Sequence, residues 1–546
     1  MNLTKALGSV GGLTLASRIL GLVRDSLFAR FVGAGFASDA FLIAFRLPNM
    51  FRALFAEGAF SAAFIPMFNR KVGDKDGRGL PDGIAFAEDA LSVLLPVLIG
   101  MTVLLEIAAW PVTWLLTFGF NGASAERFAY VVHLSRITLP YLLLISLVSL
   151  LGGILNSLHK SWINAAAPIL LNATLIAALL LFHERLPLMT ARNQAIAVTV
   201  SGALQLLWLI YACRRSGVVL RLKRPQLNPE VKRLMSLIWP AAAGAGAVQI
   251  NLVVSTALAA ALLPAGSVSY IYFADRLNQL PLGLIGIGLG TVLLPTISRQ
   301  LGRGEETEAM ATQNRGMELA LFLTLPATVA LIVCGVPIVG ALFQHGKFAL
   351  EDSQLTAQAL AAFSIGLPSY ILVKVLTPGY YARSDTKTPV RYATMSMVVN
   401  LVLNLAFIKL ARPYGPAARH RDREHGQRRD AVSHARPSRA FHPDARLARR
   451  TWRLLVAALI MGGVMYFLND LFQPFVTGSG TERWGRCSCW SRPAGSSMRS
   501  PPCSPARSGW ATSPRSCVVP NKVFPCASSP ASSPPVISIS AITWGR

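Results

Sequence analysis

Apolar residues run along this chain in blocks of about twenty, broken by short polar loops. That is the length a helix needs to cross the hydrocarbon of a bilayer. Eleven such blocks precede Arg412, near 6–31, 37–67, 86–109, 129–154, 163–182, 194–212, 232–262, 268–297, 317–343, 355–380 and 390–411, and a twelfth lies near 454–473. Several contain Gly or Pro, which membrane helices tolerate. The N-terminal MNLTKALGSVGG lacks a short apolar core followed by a small-residue cleavage site, so it reads as the start of the first span.

The loops alternate in charge. Arg70, Lys71, Lys75 and Arg78 follow the second block, Lys160 the fourth, and Arg214, Arg215, Arg221, Lys223 and Arg224 the sixth. Arg299, Arg303 and Arg315 follow the eighth, and Arg383, Lys387 and Arg391 the tenth. The intervening exits are neutral at 33–38 or carry Glu126 and Glu184. The positive-inside rule therefore predicts a cytoplasmic N-terminus.

Composition agrees with a polytopic membrane protein. Of 546 residues, 53% are hydrophobic and 14% charged, against about 25% charged in soluble domains; the mean hydropathy is +0.47. The net charge of +26 points to topology rather than nucleic acid, because half of it lies in two segments. Residues 413–450 hold ten Arg against four acids, and 482–546 hold seven Arg and one Lys against one Glu. Five of the seven Cys also lie in the last sixty residues, in no zinc-binding spacing, while Cys213 and Cys334 read as packing residues.

The second and eighth blocks resemble each other. Arg46-Leu47 and Arg276-Leu277 stand about 230 residues apart, and each block reaches a proline, Pro66 or Pro295, about twenty residues later. Leu139-Pro140 and Leu367-Pro368 repeat that offset. Two matches at one offset predict two six-helix lobes in pseudo-two-fold arrangement, 1–213 (spans 1–6) and 228–412 (spans 7–11). Duplicated halves with a site between them characterise alternating-access transporters.

Charges inside the spans mark where that site lies. The first carries Arg18, Arg24, Asp25 and Arg30, the second Asp39, Arg46, Arg52 and Glu57, and the eighth Asp275 and Arg276. A charge at the bilayer centre costs about 2.5–3.5 kcal/mol on insertion scales, so these side chains line a water-filled cavity or pair with one another. Arg18 and Arg24 are about 120° apart around a helix and border one broad cavity rather than one narrow stripe. Arg30, Asp39 and Arg46 also fit a bland role as anchors at helix ends. The excess of Arg favours an anionic substrate, because planar guanidinium groups bind phosphate oxygens in pairs. No P-loop, HExxH, GxSxG or DxD pattern is present, and His133, His183 and His345 stand singly, so the chain is not expected to be an enzyme.

Three stretches now carry a resemblance: Ser17-Arg18 to Asp25, Gly33 to Phe41, and Arg46-Leu47-Pro48-Asn49 through Arg52 to Glu57-Gly58-Ala59-Phe60-Ser61. With Tyr272 to Leu277 and Lys374 to Val390, they resemble the MurJ (MviN) lipid II flippases of the multidrug/oligosaccharidyl-lipid/polysaccharide exporter superfamily. The resemblance covers residues 1 to about 412 and resumes weakly from Pro443 to about Thr477. It implies an all-helical inner-membrane transporter that exports the undecaprenyl-pyrophosphate-linked peptidoglycan precursor, with membrane lipids as its other partners and action as a monomer. It also implies that Arg18, Arg24, Asp39, Arg52 and Arg276 bind substrate, supported by Ser17, Asp25, Glu57 and Asp275. No bound cofactor is expected; a coupling cation or the membrane potential would supply the drive. A polysaccharide-repeat flippase, a cation-coupled drug exporter, a membrane glycosyltransferase and a cell-wall scaffold are the competing readings.

The family has fourteen spans, and here the chain departs from it. Residues 413–442 are Arg- and His-rich where the twelfth span belongs, 443–477 supply one extra span, and 482–546 are rich in Ser, Pro, Arg and Cys where the fourteenth belongs. Neither 413–442 nor 482–546 has a helical or strand period. Both are expected to be disordered or to be out-of-frame translation of GC-rich DNA.

Overall fold

Proline and glycine set where the spans start and bend. Pro140, Pro187 and Pro229 sit at or near helix starts, where a missing N–H costs nothing. Gly33 has φ +80°, a left-handed turn that L side chains rarely adopt, and it parts the first two helices. The computed structural model describes residues 3–56, 59–73, 79–118, 124–385, 388–392, 394–395 and 445–477. All regular structure among them is helical: α1 (Leu3–Val32), α2 (Phe36–Ala56), α3 (Ala59–Val72), α4 (Leu80–Ile107), α5 (Ala109–Thr117), α6 (Ala125–Thr138), α7 (Pro140–Ser157) and α8 (Ser161–Leu181). Then come α9 (Pro187–Arg215), α10 (Pro229–Leu262), α11 (Ser267–Pro281), a π-helical turn Leu282–Ile287, α12 (Gly288–Gly302), α13 (Glu306–Val333), α14 (Gly335–Phe343), α15 (Leu350–Ala382) and α16 (Ala445–Thr477).

The blocks read from sequence fall on these helices, but four of them divide: 129–154 into α6 and α7, 317–343 into α13 and α14, and two more. The 37–67 block is two helices, α2 and α3, and the 268–297 block is α11 and α12 joined by the π turn. Pro281 and the glycines behind it explain the second, since they free backbone groups from the regular ladder. Eight described segments are long and apolar enough to cross a membrane. The 390–411 block falls almost wholly outside the described residues, as do 413–442 and 482–546.

The outer surface is apolar: Ile107, Trp110, Leu181, Leu284 and Trp452 all stand exposed. On a soluble protein such a belt would drive aggregation; against lipid tails it matches its surroundings. Inside, buried hydroxyls of Ser146, Ser149, Thr324 and Ser364 donate to carbonyls one turn back, which satisfies them without a distant partner. The two halves repeat their packing. In the first, α2 and α3 lie on α7; in the second, α11 and α12 lie on α15. α16 packs on α13, where Gly462 lets it approach Val329.

Basic loops gather at one end of the bundle. Lys71 pairs with Glu230 at 2.5 Å, and Lys223 with Glu88 at 3.0 Å and Asp89 at 3.2 Å. Lys160 donates to Ser216 at 2.9 Å. The hydrogen bond to Glu88 holds the Lys223 ammonium above the ordinary lysine value. The α1–α2 turn, at the far end of α1, meets the loop between α14 and α15 instead, where the Lys347 N–H donates to the Arg30 carbonyl at 3.0 Å.

Candidate substrate-binding centre

Within the bundle, side chains of α1 and α11 bring charges from both halves together. Arg24 and Asp25 are adjacent on α1 and both buried. Arg24 Nε and Nη2 donate to Asp25 Oδ1 at 3.0 and 2.6 Å. Its Nη1 donates to Asn172 of α8 at 3.0 Å, and its Nη2 to the Tyr272 hydroxyl of α11 at 3.0 Å. From the second half, Arg276 Nε lies 3.2 Å from Asp25 Oδ2. One carboxylate thus serves two guanidinium groups, one from each half, and the cluster keeps a surplus positive charge. Arg276 remains about two-fifths exposed, so it faces open space while Asp25 does not.

Tyr272 and Asn172 complete the centre, and the sequence reading did not select either as a site residue. The Tyr272 hydroxyl donates to Asp25 Oδ1 at 3.1 Å and accepts from Arg276 Nε and Nη2 at 3.2 and 3.0 Å. The Arg276 guanidinium also lies over the Tyr272 ring, 5.0 Å from its centroid, as expected of residues one turn apart on a helix. Asn172 uses its amide to hold the Ser17 carbonyl at 3.0 Å. Its sequence signal is faint: a polar residue in an otherwise apolar block.

The remaining predicted residues scatter around this centre. Ser17 takes part through its carbonyl. Arg18 is exposed on α1, and its guanidinium lies against Gly283 of the π turn, where any Cβ would collide with it. Asp275 accepts from Gln279 at 2.5 Å, one turn along α11. Arg46 donates to the Leu252 carbonyl of α10 at 3.3 Å. Arg52 is half-buried on α2, where its Nε donates to Asn49 at 3.0 Å. The structure therefore joins Arg24 to Arg276 through shared contacts and brings Arg18 against the π turn that follows α11, while Arg52 bonds Asn49 within α2. Glu57 lies outside the described residues.

Asp39 goes elsewhere. It is buried in the first turn of α2, and both its oxygens are taken by the start of α11. The Gly266 N–H donates to it at 2.6 Å, and the Ser269 N–H and hydroxyl at 2.8 and 2.5 Å. A carboxylate at a helix N-terminus satisfies free N–H groups and the helix dipole together. Three left-handed glycines close the same seam between the halves. A Cβ on Gly33 would sit 2.9 Å from the Lys347 carbonyl, one on Gly346 2.5 Å from the Arg30 carbonyl, and one on Gly266 3.2 Å from the Ala34 carbonyl. The seam is backbone against backbone, with Asp39 as its ionic bolt. The Ser26 hydroxyl adds a bond to the Leu342 carbonyl at 2.5 Å.

The family model described as "Lipid II flippase MurJ" matches residues 28–483. The chain belongs to the MurJ lipid II flippase family. A probable lipid II flippase MurJ of Rhizobium tropici is 40% identical over 486 residues, covering 88% of this chain and 90% of the relative. The lipid II flippase MurJ of Burkholderia cenocepacia is 36% identical over 418 residues, 75% of this chain and 79% of the relative. Among solved structures, a lipid II flippase MurJ in an inward closed conformation superposes with TM-score 0.70 at 24% identity, covering 88% of this chain and 95% of that one. An inward-facing MATE-family multidrug transporter of the MOP superfamily superposes with TM-score 0.60 at 14% identity, over 82% and 95%. These two likenesses establish the transporter fold. The MurJ family match ends at residue 483, beside the change of composition at 482.

Proposed function

We propose that this chain is a lipid II flippase of the bacterial inner membrane, moving the polyprenyl-diphosphate-linked peptidoglycan precursor from the cytoplasmic to the outer leaflet. The observation that carries the reading is the Arg24–Asp25–Arg276 cluster, in which cations from both halves meet at one buried carboxylate. A diphosphate is the substrate chemistry that two converging guanidinium groups fit. The acidic cation site expected of a cation-coupled drug exporter finds less support, since the cluster keeps a positive surplus.

Transport follows from the two-lobe construction. The basic loops lie in the cytoplasm, so the N-terminus is cytoplasmic and the Gly33–Gly266–Gly346 seam closes the outer end. The headgroup enters from the cytoplasmic side and reaches Arg24 and Arg276, with Arg18 and Arg52 nearer the approach. As the anion replaces Asp25 between the arginines, the tie between the halves loosens and the outer seam parts. The polyprenyl tail stays in lipid throughout. The protein acts as a single chain by translocation rather than by bond-making chemistry. No bound cofactor takes part: a negative-inside potential favours outward movement of an anionic headgroup by about 2.3 kcal/mol per charge per 100 mV, unless a coupled cation replaces it.

Reconstitution of the full chain in vesicles tests this. Fluorescent lipid II added to one leaflet should become accessible to an impermeant quencher on the other, and an inside-negative potential should speed the process. Absence of lipid II translocation by inserted protein would overturn the assignment. A cysteine at Ala34 that reacts only from the cytoplasmic side would overturn the orientation.

A further inference from the structure

Tyr272 is the one neutral group that touches all three ions of the central cluster among the described residues. Its hydroxyl lies 3.0 Å from Arg24 Nη2, 3.2 and 3.0 Å from Arg276 Nε and Nη2, and 3.1 Å from Asp25 Oδ1. A phenol offers one proton and two lone pairs. The arginines can only donate and the carboxylate can only accept, so the proton points to Asp25 and the lone pairs face the two cations. This sets a single oxygen between Arg24 and Arg276, while each also reaches one oxygen of Asp25.

The ring is held independently of the hydroxyl. It packs edge-on to Phe273 at 5.6 Å, and Phe273 is fully buried against Phe343 and Phe348, at 4.9 and 5.5 Å. The oxygen is therefore fixed in space while its proton is free to turn. An incoming anion that takes the arginines from Asp25 finds that proton beside them.

Resting on the flippase reading above, we propose that Tyr272 is a positioning residue that makes the site selective for a lipid-linked diphosphate over a lipid-linked monophosphate. It holds the two guanidinium groups on either side of one oxygen, so that each can take one phosphate of a diphosphate. It also turns its proton from Asp25 to a phosphate oxygen, a donor that the second phosphate requires. A single phosphate is satisfied by the arginines alone and gains little from either effect.

The test compares undecaprenyl diphosphate with undecaprenyl monophosphate, bound to the full chain in nanodiscs, for wild type, Tyr272→Phe and Arg24→Ala. Wild type should prefer the diphosphate. Tyr272→Phe keeps the ring packing and should lose about tenfold of that preference, the scale of one hydrogen bond to a charged group, with monophosphate affinity changed by less than about threefold. Arg24→Ala should weaken both ligands. An unchanged preference in Tyr272→Phe would overturn the inference and leave the flippase reading standing. Equal weakening of both ligands would overturn it too, because that is what a merely structural role produces. A wild-type protein with no preference would sink the flippase reading and the inference with it. If Tyr272→Phe does not accumulate, 3-fluorotyrosine at position 272 replaces it: its more acidic phenol donates more strongly, so the preference should rise, and no rise overturns the proposal.

Discussion

Two regions tie the halves of this protein together, and they are built from opposite materials. The central cluster is made of side chains: Arg24, Asp25, Tyr272 and Arg276 meet through groups at the ends of flexible stems. The seam at the α1–α2 turn is made of backbone, with left-handed glycines at 33, 266 and 346 where a side chain would collide with or crowd a carbonyl, and one carboxylate, Asp39, across it. Side-chain ties can be exchanged for a ligand's oxygens one bond at a time. A backbone seam has no such intermediate, because packed main chain either fits or separates. The first suits recognition and the second suits a two-position gate.

The largest expected effect breaks the centre. Arg24→Ala removes bonds to Asp25, Asn172 and Tyr272, each to a charged or strongly polar partner and worth about 1.5–3 kcal/mol where a charge is involved. It should abolish rescue of a flippase-depleted cell while the protein still inserts. Normal growth on a normally expressed Arg24→Ala variant would refute the role of the centre.

Next is the bolt of the seam. Asp39→Asn keeps the shape, but an amide NH2 cannot accept, so N–H groups at the start of α11 lose a partner at about 1–3 kcal/mol each. In a chain whose native cysteines are changed to serine, a cysteine at Ala34 should then label with an impermeant maleimide about tenfold faster or more. Labelling at the wild-type rate would mean that glycine packing alone closes the seam.

Gly346→Ala acts on the same seam through the backbone. Its φ of +63° costs an L residue about 1–2 kcal/mol, and the new Cβ meets the Arg30 carbonyl. Labelling at Ala34 should rise several-fold. Gly304 supplies the control: its φ is +78°, yet nothing lies within 4 Å of its Cβ position. Gly304→Ala should carry the strain as a lower melting temperature without changing labelling. If both variants label alike, strain rather than the seam is being measured.

The smallest effect belongs to neither region. Lys223→Ala loses partly exposed pairs with Glu88 and Asp89, worth under about 1 kcal/mol, with no effect on transport. A lysine held above its ordinary value contributes stability at every pH below its unfolded pKa, about 10.4. That contribution is lost only as the pH rises past the folded value, so the loss in the variant should be the same at pH 6 and pH 8 by thermal unfolding. A loss that grows toward pH 6 would contradict the assignment.

By itself the sequence determined the spans, the duplication and the charges that cannot face lipid, while the breaks within the spans came from the structure. The reason is that bilayer thickness and the cost of a buried charge act locally, on windows of about twenty residues. It marked Arg24, Asp25 and Arg276 by that cost alone. Only the tertiary structure decided which charges share a partner. Arg24 and Arg276 lie 252 positions apart, and no period in the chain says that α1 and α11 meet at Asp25. Tyr272 and Asn172 escaped notice because an uncharged polar residue in a span is cheap, and its meaning depends on what stands opposite. Asp39 reads in sequence as one more charge for the cavity, and folding turned it to the start of α11, because free N–H groups there offered a buried carboxylate three donors. The glycines of the seam were visible as letters, but their reason is the carbonyl of another turn, which the fold brings within 2.5–3.2 Å of where a Cβ would stand.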